Sequence, residues 1–379
     1  MDGVRLAASV TTIMAGILAP AAVPVAADPA APPSPSLAVE DLHIPAADPG
    51  IELFLRSKRP REMRTYRSER TLLFVSGSTY PAETSFDLSL DGRSWMEEIA
   101  LDGWDVWFVE LRGYGRSTRP PEMDAPPEAN PPVVRTEMAV RDLSSAVEAI
   151  RARRGIERLS LLGWSWGTSI TARYTIKHPG QVVRLALYGP RWLRPGQGSG
   201  TGPWAAEQTP LPSYRRVTAT EAHAHWLDGV PDAHGADLIP PGWFERWASA
   251  TWATDPQSGR SDPPALRAPN GTMADVREFW DRGRPVYDPA RITVPTLVIG
   301  AEWDRDTPPA MRQALFPLLV NAPDKRYVEL GRGTHMICLE RNRYALFGAV
   351  QAFLNEAGSD APGLHLLKAN RTAPVMGEQ

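Results

Sequence analysis

The sequence predicts an α/β fold in which a mostly parallel, doubly wound sheet carries an inserted helical cap. Short apolar, β-rich runs alternate with helical stretches along the chain, which is typical of a parallel sheet covered on both faces. One long stretch without a convincing strand interrupts this alternation. The composition, 42% hydrophobic and 22% charged residues in a chain of 379, is that of a globular protein.

The beginning of the chain has the features of an export signal. Residues 6–25, LAASVTTIMAGILAPAAVPV, are largely apolar, follow the single basic residue Arg5 and end just before Ala26-Ala27. We therefore predict a signal peptide over residues 1–27 and export to the periplasm or the medium. The alternative is an Ala/Pro-rich extension of a cytoplasmic protein, and residues 28–50 are predicted to be a Pro/Ala-rich linker on either view. The apolar block is short for a stable membrane span.

Seven β-rich runs follow the linker. They are IELFLR (51–56), TLLFV (71–75), DVWFV (105–109), LSLLG (159–163), VVRLALYG (182–189), TLVIG (296–300) and RYVEL (326–330). Between the third and fourth runs, TEMAVRDLSSAVEAIRARRG predicts a helix, because Met138, Leu143, Val147 and Ile150 fall near one face. Gly155 supplies its stop signal.

These runs predict an α/β core made of residues 51–191 and 288–356. Residues 192–287 lack a convincing strand and hold seven of the 13 tryptophans, so we predict that they form a mostly helical cap. The polar, Gly/Pro-bearing residues 357–379 are predicted to be a poorly ordered tail.

Charge and cysteine content argue against several functions. The 41 basic and 44 acidic side chains give a net charge of −3, which lacks the basic footprint of nucleic-acid binding. The single cysteine, Cys338, excludes an intramolecular disulfide and a metal site built on several cysteines. The cap holds residue types that bind metals, without a recognisable ligand pattern: His223, His225, His234, Asp228 and Asp232. We predict neither a metal nor a cofactor, and oligomeric state is left open.

A turn between a strand and a helix predicts a nucleophile. The run LSLLG leads into Gly163-Trp164-Ser165-Trp166-Gly167 and then into the helical stretch TSITARYTIK. Strand, G-x-S-x-G and helix together form a nucleophile elbow. The turn is so tight that a Cβ at either glycine would collide with the neighbouring strand or helix, and its strain exposes the Ser165 hydroxyl at the carboxyl edge of the sheet. An accidental match is disfavoured because both flanking elements are present.

A serine hydroxyl needs a base to take its proton, and the base needs an acid to orient it. Asp304 follows the run TLVIG and His335 follows RYVEL, so each lies just past the carboxyl end of a strand, where open parallel sheets place their sites. Their separation of 31 positions suits one β-α-β unit. Asp306 is the alternative acid. The competing interpretations are a solvated acidic turn for the aspartates and a core or capping role for the histidine.

With its order of serine, acid and histidine, the chain resembles the α/β-hydrolase fold superfamily over roughly residues 50–356. The segment LRGYGRS, residues 111–117, is similar to the family's loop after the fourth strand. The position of the cap, between the runs at 182–189 and 296–300, is similar as well. Asp304 occupies the family's acid position.

The resemblance also implies an oxyanion hole. One donor is the backbone N–H of Trp166, the residue after the nucleophile, and the other comes from the loop after TLLFV. We assign the second donor to Ser78, with Thr79 as the alternative. Many family members have His-Gly in this loop where this chain has Ser76-Gly77. The competing interpretation is a Gly/Ser turn without a catalytic role. Near these groups, Trp164, Trp303 and Thr79 are predicted to bind substrate.

The function implied is that of a metal-free serine hydrolase acting on a small ester, lactone or similar acyl compound. Ser165-Trp166-Gly167 and His178-Pro179 are similar to proline iminopeptidase-like members, although the His-Gly-Gly-Pro-Gly run of their oxyanion loop is missing. An exopeptidase of that kind is the second hypothesis, and it needs cap carboxylates such as Glu221, Glu245 or Asp255. A binding or receptor protein on the same fold is the third, and cofactor-free lyase or oxygenase chemistry stays open because fold does not fix function.

Overall fold

The computed structural model describes residues 36–194 and 210–356. The strands in this part of the chain are β1 (Leu37–Pro45), β2 (Glu52–Pro60), β3 (Thr71–Val75), β4 (Asp105–Val109), β5 (Leu159–Trp164), β6 (Val182–Tyr188), β7 (Tyr214–Thr218), β8 (Ala265–Pro269), β9 (Thr296–Ala301) and β10 (Lys325–Leu330). The α-helices are α1 (Ala82–Phe86), α2 (Trp95–Leu101), α3 (Thr136–Arg154), α4 (Trp166–Lys177), α5 (Ala219–Trp226), α6 (Gly235–Leu238), α7 (Trp243–Ala253), α8 (Gly271–Glu278), α9 (Pro309–Leu315) and α10 (Arg343–Asn355).

The main sheet has the strand order β1-β2-β4-β3-β5-β6-β9-β10. All neighbours from β4 to β10 in that order are parallel, whereas β2 is antiparallel to both β1 and β4. The carboxyl ends of the parallel strands therefore meet at one edge of the sheet. This arrangement confirms the predicted α/β fold with a mostly parallel sheet.

Both faces of the sheet are covered by apolar side chains. In β3, Leu73 and Val75 belong to the core cluster that includes residues of α3, α4 and α9, and Leu72 and Phe74 belong to the one that includes residues of α2 and α10. A strand buried on both faces reads as a continuous apolar run, which is why these strands could be found from the sequence.

All seven β-rich runs form strands, and their bounds differ from the prediction by at most a few residues. The helix predicted before Gly155 is α3, whose Leu143, Val147 and Ile150 are buried, whereas Met138 is half-buried. Gly155 ends it in the left-handed conformation, with φ +64°.

The predicted linker, residues 28–50, contains strand β1, so the linker prediction is wrong for this strand. β1 pairs antiparallel with β2 along its whole length. Leu42 and Ile44 are half-buried, whereas Asp41 and His43 are exposed, as in an edge strand with one face in contact with the core. A strand of this kind needs few apolar residues, and its proline-rich surroundings hide the alternation.

The cap also differs from the prediction of a mostly helical insert without strands. Alongside α5, α6, α7 and α8 it holds β7 and β8, which pair antiparallel as a separate two-stranded sheet. Two consecutive arginines in β7, Arg215 and Arg216, and Pro269 at the end of β8 weaken the strand signal in the sequence. The partner strands are also far apart along the chain, so no local hairpin pattern reveals them.

Two predicted segments lie outside the described residues, namely the signal peptide over 1–27 and the tail over 357–379. No helix within residues 36–194 and 210–356 combines the length and the apolar character needed to cross a bilayer. The limits between core and cap stay predictions.

Candidate active site

Ser165 lies at a strained turn between β5 and α4. Its backbone has φ +56° and ψ −119°, a conformation that a non-glycine residue adopts only where its surroundings enforce it. The Ser165 N–H donates a hydrogen bond of 2.8 Å to the carbonyl oxygen of Tyr188 at the end of β6. The side chain is partly exposed, as the elbow prediction requires.

The two glycines of the motif occupy positions where no side chain fits. A Cβ on Gly163 would lie 2.4 Å from the carbonyl oxygen of Gly167 in α4, and a Cβ on Gly167 would lie 2.3 Å from that of Val75 in β3. Both distances are far inside van der Waals contact. The predicted collisions with the neighbouring helix and strand are therefore confirmed.

Asp304 and His335 form a buried hydrogen-bonded pair. The distance between His335 Nδ1 and Asp304 Oδ2 is 2.9 Å, and the aspartate is 1% exposed. Thr307 fixes the carboxylate by donating from its N–H to Oδ1 and from its hydroxyl to Oδ2, each at 2.7 Å. The buried guanidinium of Arg312 lies 3.6 Å from Oδ2. Its position was not predicted from the sequence.

The backbone of His335 is held from the sheet. Its carbonyl oxygen accepts hydrogen bonds from the Tyr188 hydroxyl at 2.6 Å and from Trp164 Nε1 at 3.1 Å. Burial by itself would lower the pKa of His335, but the carboxylates of Asp304 and Asp306 outweigh it and raise that pKa above its ordinary value. The imidazole is therefore held in place and made more basic.

A second imidazole–carboxylate pair lies beside the first. His225 of the cap helix α5 has its Nε2 at 3.0 Å from Asp306 Oδ2, and that oxygen is 3.9 Å from Nε2 of His335. Burial would raise the pKa of Asp306, yet the two imidazoles lower it below its ordinary range. The hydrogen bond to Asp306 raises the pKa of His225. The alternative acid thus faces the same imidazole from the opposite side and joins the core to the cap.

Ser165 and His335 line one cavity of about 500 Å³ at the carboxyl edge of the sheet. Within the described part of the chain, Ser165 Oγ makes no direct hydrogen bond to the imidazole. Catalytic hydrogen bonds are often long in the absence of substrate and tighten in the reacting complex. Because Nδ1 is bound to Asp304, Nε2 is the ring nitrogen available to this cavity.

The loop after β3 passes directly over the serine. A Cβ on Gly77 would lie 3.1 Å from Ser165 Cβ, so the absence of a side chain permits this approach. The Ser78 carbonyl accepts hydrogen bonds from the Tyr114 hydroxyl at 2.8 Å and from the Arg215 guanidinium at 2.9 Å. On the other side, Trp166 is the first residue of α4, and its N–H therefore has no partner within the helix.

The three residues predicted to bind substrate have different surroundings. Thr79 lines the cavity, and its hydroxyl accepts a hydrogen bond of 2.6 Å from Arg215. Trp164 also lines it, although the residue is only 2% exposed. Trp303 is not part of the cavity wall. Its ring stacks on His234, with the ring centres 5.3 Å apart.

A buried carboxyl group that was not anticipated joins the cap to the histidine loop. Glu340 accepts hydrogen bonds from Trp226 Nε1 of α5 at 2.9 Å and from the Thr334 N–H at 3.1 Å. Burial raises the pKa of Glu340 to about 7. No sequence pattern identifies this role, because Trp226 and Glu340 lie 114 residues apart.

The cap histidines do not converge on one another. His225 binds Asp306, His234 stacks on Trp303, and the His223 ring packs edge-on against Phe244. Over residues 36–194 and 210–356, no group of three or more His, Cys, Asp or Glu side chains is arranged to hold a metal ion.

Comparisons with known proteins identify the family of the fold. A family model described as alpha/beta hydrolase fold matches residues 80–342. The probable proline iminopeptidase of Streptomyces coelicolor is 30% identical over 189 residues, which are 46% of this chain and 54% of that protein. Serine hydrolase BPHL of Mus musculus is 26% identical over 185 residues, 49% of this chain and 52% of that protein. The chain spans about half the length of these relatives, and 26% of a Xylella fastidiosa proline iminopeptidase to which it is 33% identical over 93 residues.

Solved structures share the fold. An esterase from Thermogutta terrifontis is 18% identical with a TM-score of 0.52, covering 83% of this chain and 98% of that one. The 2-hydroxy-6-oxo-6-phenylhexa-2,4-dienoate hydrolase from Rhodococcus sp. strain RHA1 is 16% identical with a TM-score of 0.55, covering 85% and 100%.

The close approach of α4 to β3 leads to a prediction about stability. We expect Gly167→Ala to lower the free energy of unfolding by about 1–3 kcal/mol, because the added methyl group meets backbone that must shift. Urea denaturation measures this change. The matched control is Gly348→Ala in α10, where nothing lies within 4 Å of the new Cβ and a small stabilisation is expected. A Gly167→Ala protein as stable as the native one would contradict the packing argument.

Proposed function

The chain belongs to the α/β-hydrolase fold family, and we propose that it is a serine hydrolase that cleaves an ester, lactone or similar acyl bond. In this proposal Ser165 is the nucleophile, His335 the general base and Asp304 the acid that orients it. The observation that supports it best is the 2.9 Å hydrogen bond between Asp304 and His335 beside a cavity whose wall contains Ser165. A cavity of about 500 Å³ suits a small-molecule substrate.

The first half of the reaction forms an acyl-enzyme. Ser165 Oγ attacks the carbonyl carbon of the substrate while His335 Nε2 takes the hydroxyl proton. Asp304 accepts the hydrogen bond of Nδ1–H and stabilises the imidazolium. The same proton then passes to the leaving group as the bond to it breaks, so that the acyl group stays on Ser165 and the alcohol departs.

The second half returns the enzyme to its starting state. Water gives a proton to His335 and attacks the acyl carbon, and the proton then passes back to Ser165 Oγ as the carboxylic acid leaves. In both halves the backbone N–H groups of Trp166 and Ser78 would hold the negatively charged oxygen of the tetrahedral intermediate. Removing one such donor costs on the order of 100- to 1000-fold in rate in other enzymes.

Because two of the relatives are named as proline iminopeptidases, an exopeptidase of that kind is the second candidate. That reaction needs a carboxylate free to bind the substrate amine. Asp255 is buried and ion-paired with Arg267 at 2.7 Å, and Glu245 lies outside the cavity wall. Glu221 lines the cavity, but it accepts a hydrogen bond of 2.8 Å from the Thr218 N–H in a capping box. These contacts favour an ester over an amino-terminal peptide as substrate.

A binding or receptor protein is the third candidate, and labelling separates it from the other two. A hydrolase with an activated Ser165 reacts with a fluorophosphonate at that residue and loses the reaction in Ser165→Ala. Intact protein that takes up no label under conditions that label a known serine hydrolase would favour the binding protein.

Replacing the nucleophile gives the first test of the proposed mechanism. We expect Ser165→Ala to lower kcat/KM at least about a thousandfold on any true substrate, because the residual rate comes only from binding and the oxyanion hole. A panel of short nitrophenyl esters, lactones and amino-acid amides measures it. The matched control is Ser160→Ala on the same strand, which removes a buried hydroxyl without a hydrogen-bond partner. Cleavage of Pro-naphthylamide without ester hydrolysis would favour the exopeptidase.

The two aspartates near His335 should respond differently to removal of their charge. We expect Asp304→Asn to lower kcat/KM on the order of 10³- to 10⁴-fold, whereas Asp306→Asn retains most of it. A base must be neutral to work, so the acid limb of the pH profile follows the pKa of His335. Because the charge of Asp306 raises that pKa, Asp306→Asn should move the limb to lower pH.

The pH profile of kcat/KM for native enzyme and both variants measures these effects, with the exposed Asp232→Asn as control. A large loss of rate in Asp306→Asn with little loss in Asp304→Asn would reverse the two roles.

We also propose that residues 1–27 direct export and are removed. The support is the apolar run over residues 6–25, which precedes Ala26-Ala27. When the full chain is produced in a bacterial host, the exported protein should begin at Asp28 by N-terminal sequencing. Ile17→Asp, which places a charge in the apolar run, should leave the full-length chain in the cytoplasm. Full-length native protein found only in the cytoplasm would contradict export.

A further inference from the structure

The cavity at Ser165 has an excess of positively charged side chains in its wall. Arg191, Arg215 and Arg216 line it, together with the carboxylates of Asp306 and Glu221. A cleft lined mainly by charges of one sign concentrates ligands of the opposite sign. Whether this excess can attract a ligand depends on which of these charged side chains already have partners.

Arg191 is the guanidinium with the fewest partners. It follows β6 and lines both the main cavity and a small adjoining pocket that also contains Ser165 and Trp166. Among residues 36–194 and 210–356, no carboxylate lies within ion-pair distance of it and no acceptor forms a hydrogen bond with it. Burial lowers the pKa of Arg191, against the longer-range attraction of Asp306 and Asp281. The charge is thus partly desolvated without a direct partner.

Arg215 of β7 is held entirely by neutral groups. Its guanidinium donates to the Ser78 carbonyl at 2.9 Å and the Thr79 hydroxyl at 2.6 Å. It also donates to the Pro269 carbonyl at 2.9 Å and the Asn270 side-chain oxygen at 3.2 Å. In the described part of the chain, no carboxylate is close enough to neutralise it. This arginine therefore brings a full positive charge to the loop that passes over Ser165.

Both carboxylates in the wall already have partners. Asp306 is bound by His225 at 3.0 Å, and Glu221 accepts hydrogen bonds of 2.8 Å from the N–H and the hydroxyl of Thr218. The imidazole of His335 is bound to Asp304, which lies outside the cavity wall. The charge that remains without a partner in the cavity is positive.

We infer that the substrate carries a carboxylate in addition to the bond that is cleaved, and that Arg191 binds this carboxylate while the positive charge of Arg215 adds to the attraction. The inference rests on the proposed hydrolase function and names its substrate class. A guanidinium presents a planar fork of N–H donors that matches the two oxygens of a carboxylate. A partly desolvated charge has a cost until it is paired, and Arg191 is half-buried, so binding an anion offsets a cost that is already present in the free protein.

The hydrolysis itself is unchanged by this recognition. A half-ester of a dicarboxylic acid and one water give the dicarboxylic acid and one alcohol, and the second carboxylate takes no part in bond making. Its contacts with Arg191 would position the scissile carbonyl over Ser165. Arg191 is the cleaner probe of this role, because Arg215 also fixes the loop that contains Ser78.

The test compares matched anionic and neutral esters. The first pair is p-nitrophenyl hemiglutarate and its methyl ester, which place the carboxylate on the acyl side. The second pair is 4-acetoxybenzoate and its methyl ester, which place it on the leaving group. In at least one pair we expect native enzyme to prefer the acid at least about tenfold in kcat/KM, since hydrogen bonds to charged groups are the strong ones.

Arg191→Gln should bring the ratio of kcat/KM for the acid to kcat/KM for the neutral partner close to one, whereas Arg191→Lys should keep part of the preference. The matched control is Arg246→Gln, an exposed arginine of the cap helix α7 outside the cavity wall. Thermal unfolding of each variant reports whether it is folded. Added NaCl should reduce the preference of the native enzyme.

Two outcomes would overturn the inference. One is a native enzyme that prefers the neutral partner in both pairs, and the other is an Arg191→Gln variant that is folded and loses the acid and the neutral ester equally. Ser165→Ala separates this failure from that of the proposed function. Abolished hydrolysis of the neutral esters in Ser165→Ala, with no acid preferred by the native enzyme, would support the proposed hydrolase function and contradict only the inferred carboxylate of the substrate.

Discussion

The arrangement of the site depends on the close contact of helix α4 with strand β3. The contact is possible because Gly167 places no Cβ between α4 and β3, and Gly163 in the same way lets β5 approach α4. With the helix so close, the chain turns from β5 into α4 within one residue, and Ser165 takes a positive φ. The strain is offset by the buried packing on either side. The position of the hydroxyl is thus set by backbone packing.

The imidazole opposite the serine is fixed from several elements at once. The loop after β9 supplies Asp304, the ends of β5 and β6 supply the two donors to the His335 carbonyl, and Glu340 ties the preceding Thr334 to the cap. Each of these contacts joins segments that are distant along the chain. A group held from several sides loses little further entropy on reaction, which suits the role of base proposed for His335.

The cap takes part in the electrostatics of the site as well as covering it. His225 meets Asp306 next to His335, and Arg215 meets the loop over Ser165. Charged side chains of the cap therefore affect the pKa of the His335 imidazole and the net charge of the cavity wall. An insertion between β6 and β9 can change substrate preference in this way without altering the sheet that positions Ser165.

The sequence by itself determined seven of the eight strands of the main sheet and the positions of Ser165, Asp304 and His335 just past three of them. Strands buried on both faces and the glycines flanking Ser165 leave local patterns, and residues just past strands such as Asp304 and His335 can be placed from the strands they follow. Tertiary structure alone decided the strands β1, β7 and β8, the pairing of His225 with Asp306 across 81 residues, and that of Arg215 with Ser78 across 137. Periodicity reports which face of an element is buried, whereas a contact between polar side chains on distant segments depends on how the elements pack, and no local pattern records it.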